Sequence, residues 1–190
     1  MKNYLFRIKL YALLTLSLIF VSCASSNMAG SNLNKVFVTN TNRVDLLPTT
    51  AITENLEQYQ FFEGNFGKDS FNSMLYLQAD STQITVLLLN EFGIEMGSIY
   101  YDGMNAILDS SIFPKNLKCE YILLDLQNAY ADSLQLKEHY AKYGLEFAEN
   151  GTERTVSKKG KTIEKITRAD NQITITNLLR GYEYKLTSEE

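Results

Sequence analysis

Short runs of alternating apolar and polar residues make up most of the chain beyond residue 34. Phe71, Ser73, Leu75 and Leu77 fall on one face of a predicted strand, and Ile84, Val86 and Leu88 on one face of the next, against Thr85. Phe92, Ile94, Met96 and Tyr100 alternate with Gly93, Glu95 and Gly97. Near the end, Ile173 and Ile175 alternate with Thr174 and Thr176, and Tyr182, Tyr184 and Leu186 with Glu183, Lys185 and Thr187. Period two repeated in this way predicts half-buried antiparallel strands. Turn dipeptides punctuate them. Asp102-Gly103 and Asn150-Gly151 predict hairpins, because type I′ turns need positive φ at both central residues. Lys159-Gly160 and Asp170-Asn171 are weaker versions, and their spacing suits a meander.

One segment carries a different period. Cys119, Ile122, Leu123, Leu126, Ala129 and Tyr130 form the apolar stripe of an amphipathic helix over residues 117–130. Asp132, with Gln135 three positions on, predicts the cap of a second short helix that Gly144 ends. Leu136, Tyr140 and Tyr143 would face inward from it. The expected class is mainly β (α+β), a many-stranded antiparallel sheet with a helical insertion. A sheet with an apolar inner face and too few helices to cover it closes into a barrel or curls around the helix it has. Either way a concave interior results. Side chains fill it, or it admits an acyl chain or another elongated apolar guest.

Residues 1–22 read as a leader, not as fold. Lys2, Arg7 and Lys9 precede the mostly apolar run Leu10–Val21, which is too short to span a bilayer. Phe20-Val21-Ser22-Cys23 resembles the lipobox of bacterial lipoproteins, in which the Cys is acylated and becomes the first mature residue. A plain secretory signal with an incidental Cys is the alternative. Ala24, in place of the Asp that tends to retain Gram-negative lipoproteins in the inner membrane, leans toward the outer membrane. Residues 23–34 are then the acylated Cys and a small, polar tether reaching roughly 18 Å as a coil. Residues 35–190 form one domain.

Charge and composition narrow the chemistry. The leader holds three of the 18 basic residues, so 15 remain against 22 acidic ones, about −7. Such a body is a poor nucleic-acid partner, and attachment to a membrane falls to the lipid on Cys23. One His argues against His-based metal sites and His-dependent hydrolysis. Gly-x-Ser-x-Gly, His-Glu-x-x-His and Cys-x-x-Cys are absent, so no enzyme, metal or cofactor is expected. Cys119 reads as a buried inert thiol and His139 as a rim residue. Glu54, Glu57, Glu91 and Glu95 read as surface. Arg154, Lys158, Lys159 and Lys161 cluster around one hairpin, either as a solvated tip or as a contact for lipid head groups or an acidic partner. Phe61, Phe62, Phe71, Phe92, Met96, Tyr100, Tyr182 and Tyr184 are inner-face candidates, for a ligand pocket or for an ordinary packed core.

Three separated blocks carry a resemblance over roughly residues 45–190. They are Phe92-Gly93-Ile94-Glu95-Met96-Gly97-Ser98-Ile99-Tyr100-Tyr101-Asp102-Gly103, then Phe113-Pro114-Lys115-Asn116-Leu117 leading into Tyr121–Tyr130, then Gly181–Leu186. Together they resemble a Gram-negative lipoprotein family known as domain of unknown function 3261. Its members often lie in aryl-polyene or fatty-acid-like biosynthesis clusters. That family is similar to the periplasmic lipoprotein carrier LolA and its outer-membrane receptor LolB. The resemblance implies an incomplete β-barrel with a helical lid and an apolar cavity for acyl chains. Leu75 and Leu88 from the strand faces, with Ile122 and Leu126 from the helical stripe, complete the candidate lining. The expected function is an outer-membrane-anchored lipoprotein facing the periplasm. It would hold an acyl-chain or polyene-like ligand non-covalently, for transfer or retention in the envelope. An envelope-biosynthesis or lipoprotein-transfer protein would be its partner. The alternative is a non-catalytic interaction lipoprotein that docks onto such a complex. A cavity of a few hundred Å³ behind the helix favours the first; a filled interior with an exposed apolar patch favours the second.

Overall fold

The computed structural model describes residues 29–31, 35–110 and 118–188. The leader, Cys23 and most of the tether lie outside these residues, as do Phe113–Leu117. Five strands form a first meander: β4 (Leu56–Phe66), β5 (Asp69–Ala79), β6 (Ile84–Leu89), β7 (Glu95–Tyr101) and β8 (Ala106–Ser110). Five more form a second: β9 (Glu146–Asn150), β10 (Glu153–Lys158), β11 (Lys161–Ala169), β12 (Gln172–Asn177) and β13 (Tyr182–Ser188). Both belong to one antiparallel sheet, joined where β13 pairs with β4, Leu186 opposite Phe62. A three-residue strand, β1 (Ala29–Ser31), extends the sheet beside β8. The strand order runs from β1 to β9, and those two ends do not pair with each other, so the sheet is not a closed barrel. Two short strands, β2 (Val36–Phe37) and β3 (Arg43–Val44), form a separate hairpin.

The helices lie between the meanders: α1 (Cys119–Tyr130) and α2 (Ser133–Ala141). Asp132 caps α2 as its sequence predicts, with its carboxylate accepting from Gln135 N at 2.9 Å. Leu136 and Tyr140 face inward and are fully buried, and Gly144 ends the segment at φ +67°. α1 touches both β8 and β12. Those strands stand six intervals apart in the sheet, about 29 Å if it were flat at ~4.8 Å per interval. A helix about 10–12 Å across reaches both only if the sheet curls around it. The mainly β class and the curled sheet with a helical insertion therefore hold.

The amphipathic reading of α1 is incomplete. Nine of its twelve residues are buried, Glu120, Asp125, Gln127 and Asn128 among them. Gln127 is covered by the segment of residues 36–52, which straps the helices down, whereas Asp125 and Asn128 face β11, β13 and α2. Gln127 Nε2 donates to Leu47 O at 2.6 Å while its Oε1 accepts from Leu47 N at 2.9 Å, closing a strand-like pair. Asp132 N donates to Ala51 O at 2.9 Å, and the Tyr101 hydroxyl donates to Leu47 O at 3.0 Å. Val36, Val44 and Ala51 of the strap are themselves buried.

Two local departures have clear causes. The pairing of β6 with β7 slips between Leu88 and Leu89: Leu88 faces Gly97, but Leu89 faces Glu95. One extra residue in β7 reverses its alternation. The inward residues are therefore Gly97, Ile99 and Tyr101. In the hairpin of β9 and β10, Asn150 pairs with Glu153. The loop is thus Gly151-Thr152, with positive φ at Gly151 alone, in place of an Asn150-Gly151 type I′ turn.

Candidate apolar binding site

Four strands and α1 enclose one apolar hollow. Inward positions of β4 give Phe62 and Phe66, those of β5 Phe71 and Leu75, and those of β6 Val86 and Leu88. Tyr184 and Leu186 come from β13, and Ile122 and Leu126 from α1. Every lining side chain is apolar or aromatic. The free space is about 30 Å³, on the scale of a water molecule or two and far below an acyl chain. The space is smaller than the few hundred Å³ expected of a carrier and closer to the filled interior expected of an interaction module.

Aromatic rings crowd the β4 side. Phe62 lies 5.0 Å from Phe71 and 5.4 Å from Tyr184, centroid to centroid, and Phe66 lies 5.8 Å from Phe71. Gly64, between Phe62 and Phe66 on the same face, makes this possible. A Cβ there would stand 2.5 Å from the Phe66 ring and 2.7 Å from that of Phe62. Gly64→Ala is expected to drive both rings into the hollow and lower stability by about 1–3 kcal/mol, as overpacking does. Chemical denaturation reads the effect; a neutral result would mean that the rings turn away freely.

Seven of the twelve candidate lining residues meet at the hollow: Phe62, Phe71, Leu75, Leu88, Ile122, Leu126 and Tyr184. Tyr182 abuts it, its ring tilted against that of Phe66 at 5.7 Å between centroids. The other four are corrected. Phe61 neighbours Phe62 on an extended strand, so it points outward and is exposed. The slip in β7 turns Tyr100 to the outer face and places Met96 beside an outer groove. Phe92 belongs to no strand. It sits in the turn before β7, where the Asn90 side chain accepts from Phe92 N and Ile94 N, and it is 78% exposed. Phe61, Met74, Phe92 and Met96 line that outer groove of about 610 Å³. Phe66, Val86 and Leu186 went unnamed as lining. The alternation Phe62-Gly64-Phe66 carries the signal for Phe66, and the Ile84-Val86-Leu88 and Tyr182-Tyr184-Leu186 runs carry it for the other two.

Behind the hollow lies a polar cluster that has no counterpart in the sequence reading. Asp125 of α1 and Glu164 of β11 are both 2% exposed. The Tyr182 and Tyr184 hydroxyls donate to Asp125 Oδ2 at 2.7 and 3.2 Å. Asn128 Nδ2 donates to Glu164 Oε1 at 3.1 Å, and the Tyr140 hydroxyl donates to Asn128 Oδ1 at 2.8 Å. Burial, and then the charge of Glu164, hold the Asp125 carboxyl well above the usual carboxylate range. Burial pushes Glu164 up to about 7, against the opposing hydrogen bond from Asn128 and the charge of Arg180.

The C-terminus of α1 is held by arginine. Arg154 Nη1 donates to the carbonyls of Asn128, Ala129 and Ala131 at 3.0, 2.8 and 2.9 Å, and its Nε pairs with Glu149 at 2.7 Å. Arg168 donates to Ala129 O as well. These cations meet the orphan carbonyls and the negative end of the helix dipole. Arg154 is therefore buried structure and not part of the Lys158, Lys159 and Lys161 hairpin tip. His139 is also more enclosed than a rim residue. Its Nε2 lies 2.7 Å from Asp45 O, and burial moves its pKa down. The Cys119 thiol is buried, and desolvation pushes it up to about 11.

Among the described residues, no group of three or more His, Cys, Asp and Glu side chains is placed to hold a metal. No helix among them is long and apolar enough to cross a membrane. Comparison with curated proteins gives no match. All of the sheet's strands from β4 onward, but for Leu56 at the start of β4, and both helices fall within a single family match, whereas the strap of residues 36–52 precedes it. Residues 57–190 match the family described as "Protein of unknown function (DUF3261)", and the chain belongs to that family.

Proposed function

We propose that this protein is a lipoprotein, anchored through Cys23 in the outer membrane and facing the periplasm. It binds an acyl chain or polyene-like apolar molecule between its sheet and α1, without catalysis or cofactor. The carrying observation is the hollow itself, lined by apolar and aromatic side chains from four strands and roofed by one helix. Its volume falls short of the few hundred Å³ that a carrier needs, so this reading requires α1 to separate from β5 and β6 to admit a guest. Each Å² of apolar guest surface buried contributes about 25 cal/mol, and release follows when α1 returns or a better acceptor appears. In this reading the curled sheet is an incomplete barrel of the LolA and LolB kind, and cargo passes to or from an envelope-biosynthesis or lipoprotein-transfer partner.

Two measurements test it. Native mass spectrometry of the protein extracted from cells is expected to show a co-purifying lipid, and a fluorescent fatty acid is expected to bind the delipidated protein. Val86→Phe, which fills the hollow, is expected to weaken that binding at least about tenfold while circular dichroism stays native. Absence of lipid together with absence of probe binding sinks the carrier reading.

A second reading draws on the outer groove. Phe61, Met74, Phe92 and Met96 present apolar surface to solvent on the face away from the hollow. Such a patch suits docking onto an envelope complex. In that case Phe92→Ser abolishes recruitment to the complex, and Val86→Phe leaves function intact.

A further inference from the structure

The polar cluster behind the hollow joins the roof helix to the second meander. Asp125 is the contribution of α1, Glu164 that of β11, and the Tyr182 and Tyr184 hydroxyls that of β13. Tyr140 of α2 reaches the cluster through Asn128. Arg180, in the turn before β13, is close enough to act on both carboxyls through its charge. Its guanidinium lies over the Tyr121 ring and donates to the carbonyls of Phe37 and Val38. Among the described residues, the donors to the two carboxyls are neutral: two phenols and one amide. Asp125 and Glu164 interact directly, and no cation among the described residues forms an ion pair with either; two such buried carboxyls are stable together only if they retain a proton.

We propose that Asp125 and Glu164 share a proton that latches α1 over the hollow, so that its loss to solvent frees the helix. The proposal rests on the carrier reading for its purpose, but not for its chemistry. No covalent bond other than O–H changes. With the proton present, one carboxyl donates to the other across the seam between α1 and β11. Without it, two negative charges face each other in an apolar interior, and separating α1 from β11 lets water reach both.

The sign follows from the direction of both shifts. The closed state holds its protons more tightly than a solvated open state. Closure is therefore strongest at low pH and weakens as pH rises from the ordinary carboxylate range, near 4.5, through about 7. It weakens further as Asp125 gives up the last proton.

Hydrogen exchange of the α1 amides, residues 119–130, tests this on the full-length protein in detergent without added ligand. Rates are corrected for the intrinsic pH dependence of exchange. Opening of α1 is expected to rise at least about tenfold between pH 5.5 and 8.5, while β5 amides keep their protection. Asp125→Asn and Glu164→Gln each replace the shared proton with a permanent amide donor and are expected to flatten the profile. A flat wild-type profile overturns the latch, even if neither variant folds. So does a slope that survives in both variants. A fatty-acid probe titrated at pH 6 and pH 8 separates the two ideas. A slope without probe binding at either pH sinks the carrier reading and leaves the latch. Probe binding with a flat profile sinks the latch alone.

Discussion

Arg154→Ala is expected to lower the unfolding free energy by about 3 kcal/mol. The guanidinium is bonded to the carbonyls of Asn128, Ala129 and Ala131, all at the end of α1. Removing it takes this donor from the Asn128 and Ala131 carbonyls and leaves Ala129 O to Arg168 alone, and hydrogen bonds to charged groups are worth about 1.5–3 kcal/mol each before relaxation. At about 2–4 °C per kcal/mol for a chain of this size, the melting temperature should fall by about 6–12 °C. The ion pair with Glu149 contributes little of this, because Glu149 is 32% exposed and solvent screens it. Glu149→Ala should therefore cost under about 1 kcal/mol. Arg154→Lys should recover only part of the loss, since one ammonium cannot span three carbonyls and a carboxylate. Equal losses from Glu149→Ala and Arg154→Ala would show that the ion pair matters and the helix cap does not.

Tyr184→Ala is expected to cost about 3–5 kcal/mol, the usual range for deleting a buried aromatic ring. The ring is 4% exposed and lies between Phe62, at 5.4 Å, and Tyr182, at 6.2 Å. Its hydroxyl also donates to Asp125. The control is Tyr184→Phe, which keeps the ring and drops the hydroxyl, at about 1–2 kcal/mol. The two should also diverge in binding. Loss of the ring enlarges the hollow, so the alanine variant should bind a fluorescent fatty acid at least as well as the wild type despite its lower stability. Denaturant titration and probe fluorescence on the same samples read both effects. If phenylalanine proves as costly as alanine, the hydrogen bond to Asp125, and not the packing at the hollow, holds this corner together.

Much of the candidate site could be read from alternation alone. Leu75, Leu88 and Tyr184 lie in clean period-two runs, and period two assigns their face directly. Ile122 and Leu126 lie on a clean helical stripe. Phe61 and Phe92 were misplaced for a different reason. In β4 the inward positions carry Gln58, Gln60 and Gly64 beside Leu56, Phe62 and Phe66, so the apolar signal is broken on the buried face. The outward positions carry Tyr59 and Phe61, which strengthens it on the wrong one. For Phe92 the turn held by the Asn90 side chain ends the alternation before β7 begins, and the slip at Leu89 then inverts it.

Local chemistry in the chain was enough to place both helices, the Asp132 cap, the Gly144 stop and the second meander. Those features depend on neighbours within a few residues, and side-chain periodicity and turn conformation record such neighbours faithfully. Tertiary structure alone decided that Asp125 and Glu164 face each other, that Arg154 closes the end of α1, and that residues 36–52 cover Gln127 of that helix. Each contact spans tens of residues, from 23 between Arg154 and Ala131 to 80 between Leu47 and Gln127. A charged residue looks the same in the chain whether it ends in water or in a core. Only the curl of the sheet around α1 determines which of them lose their water.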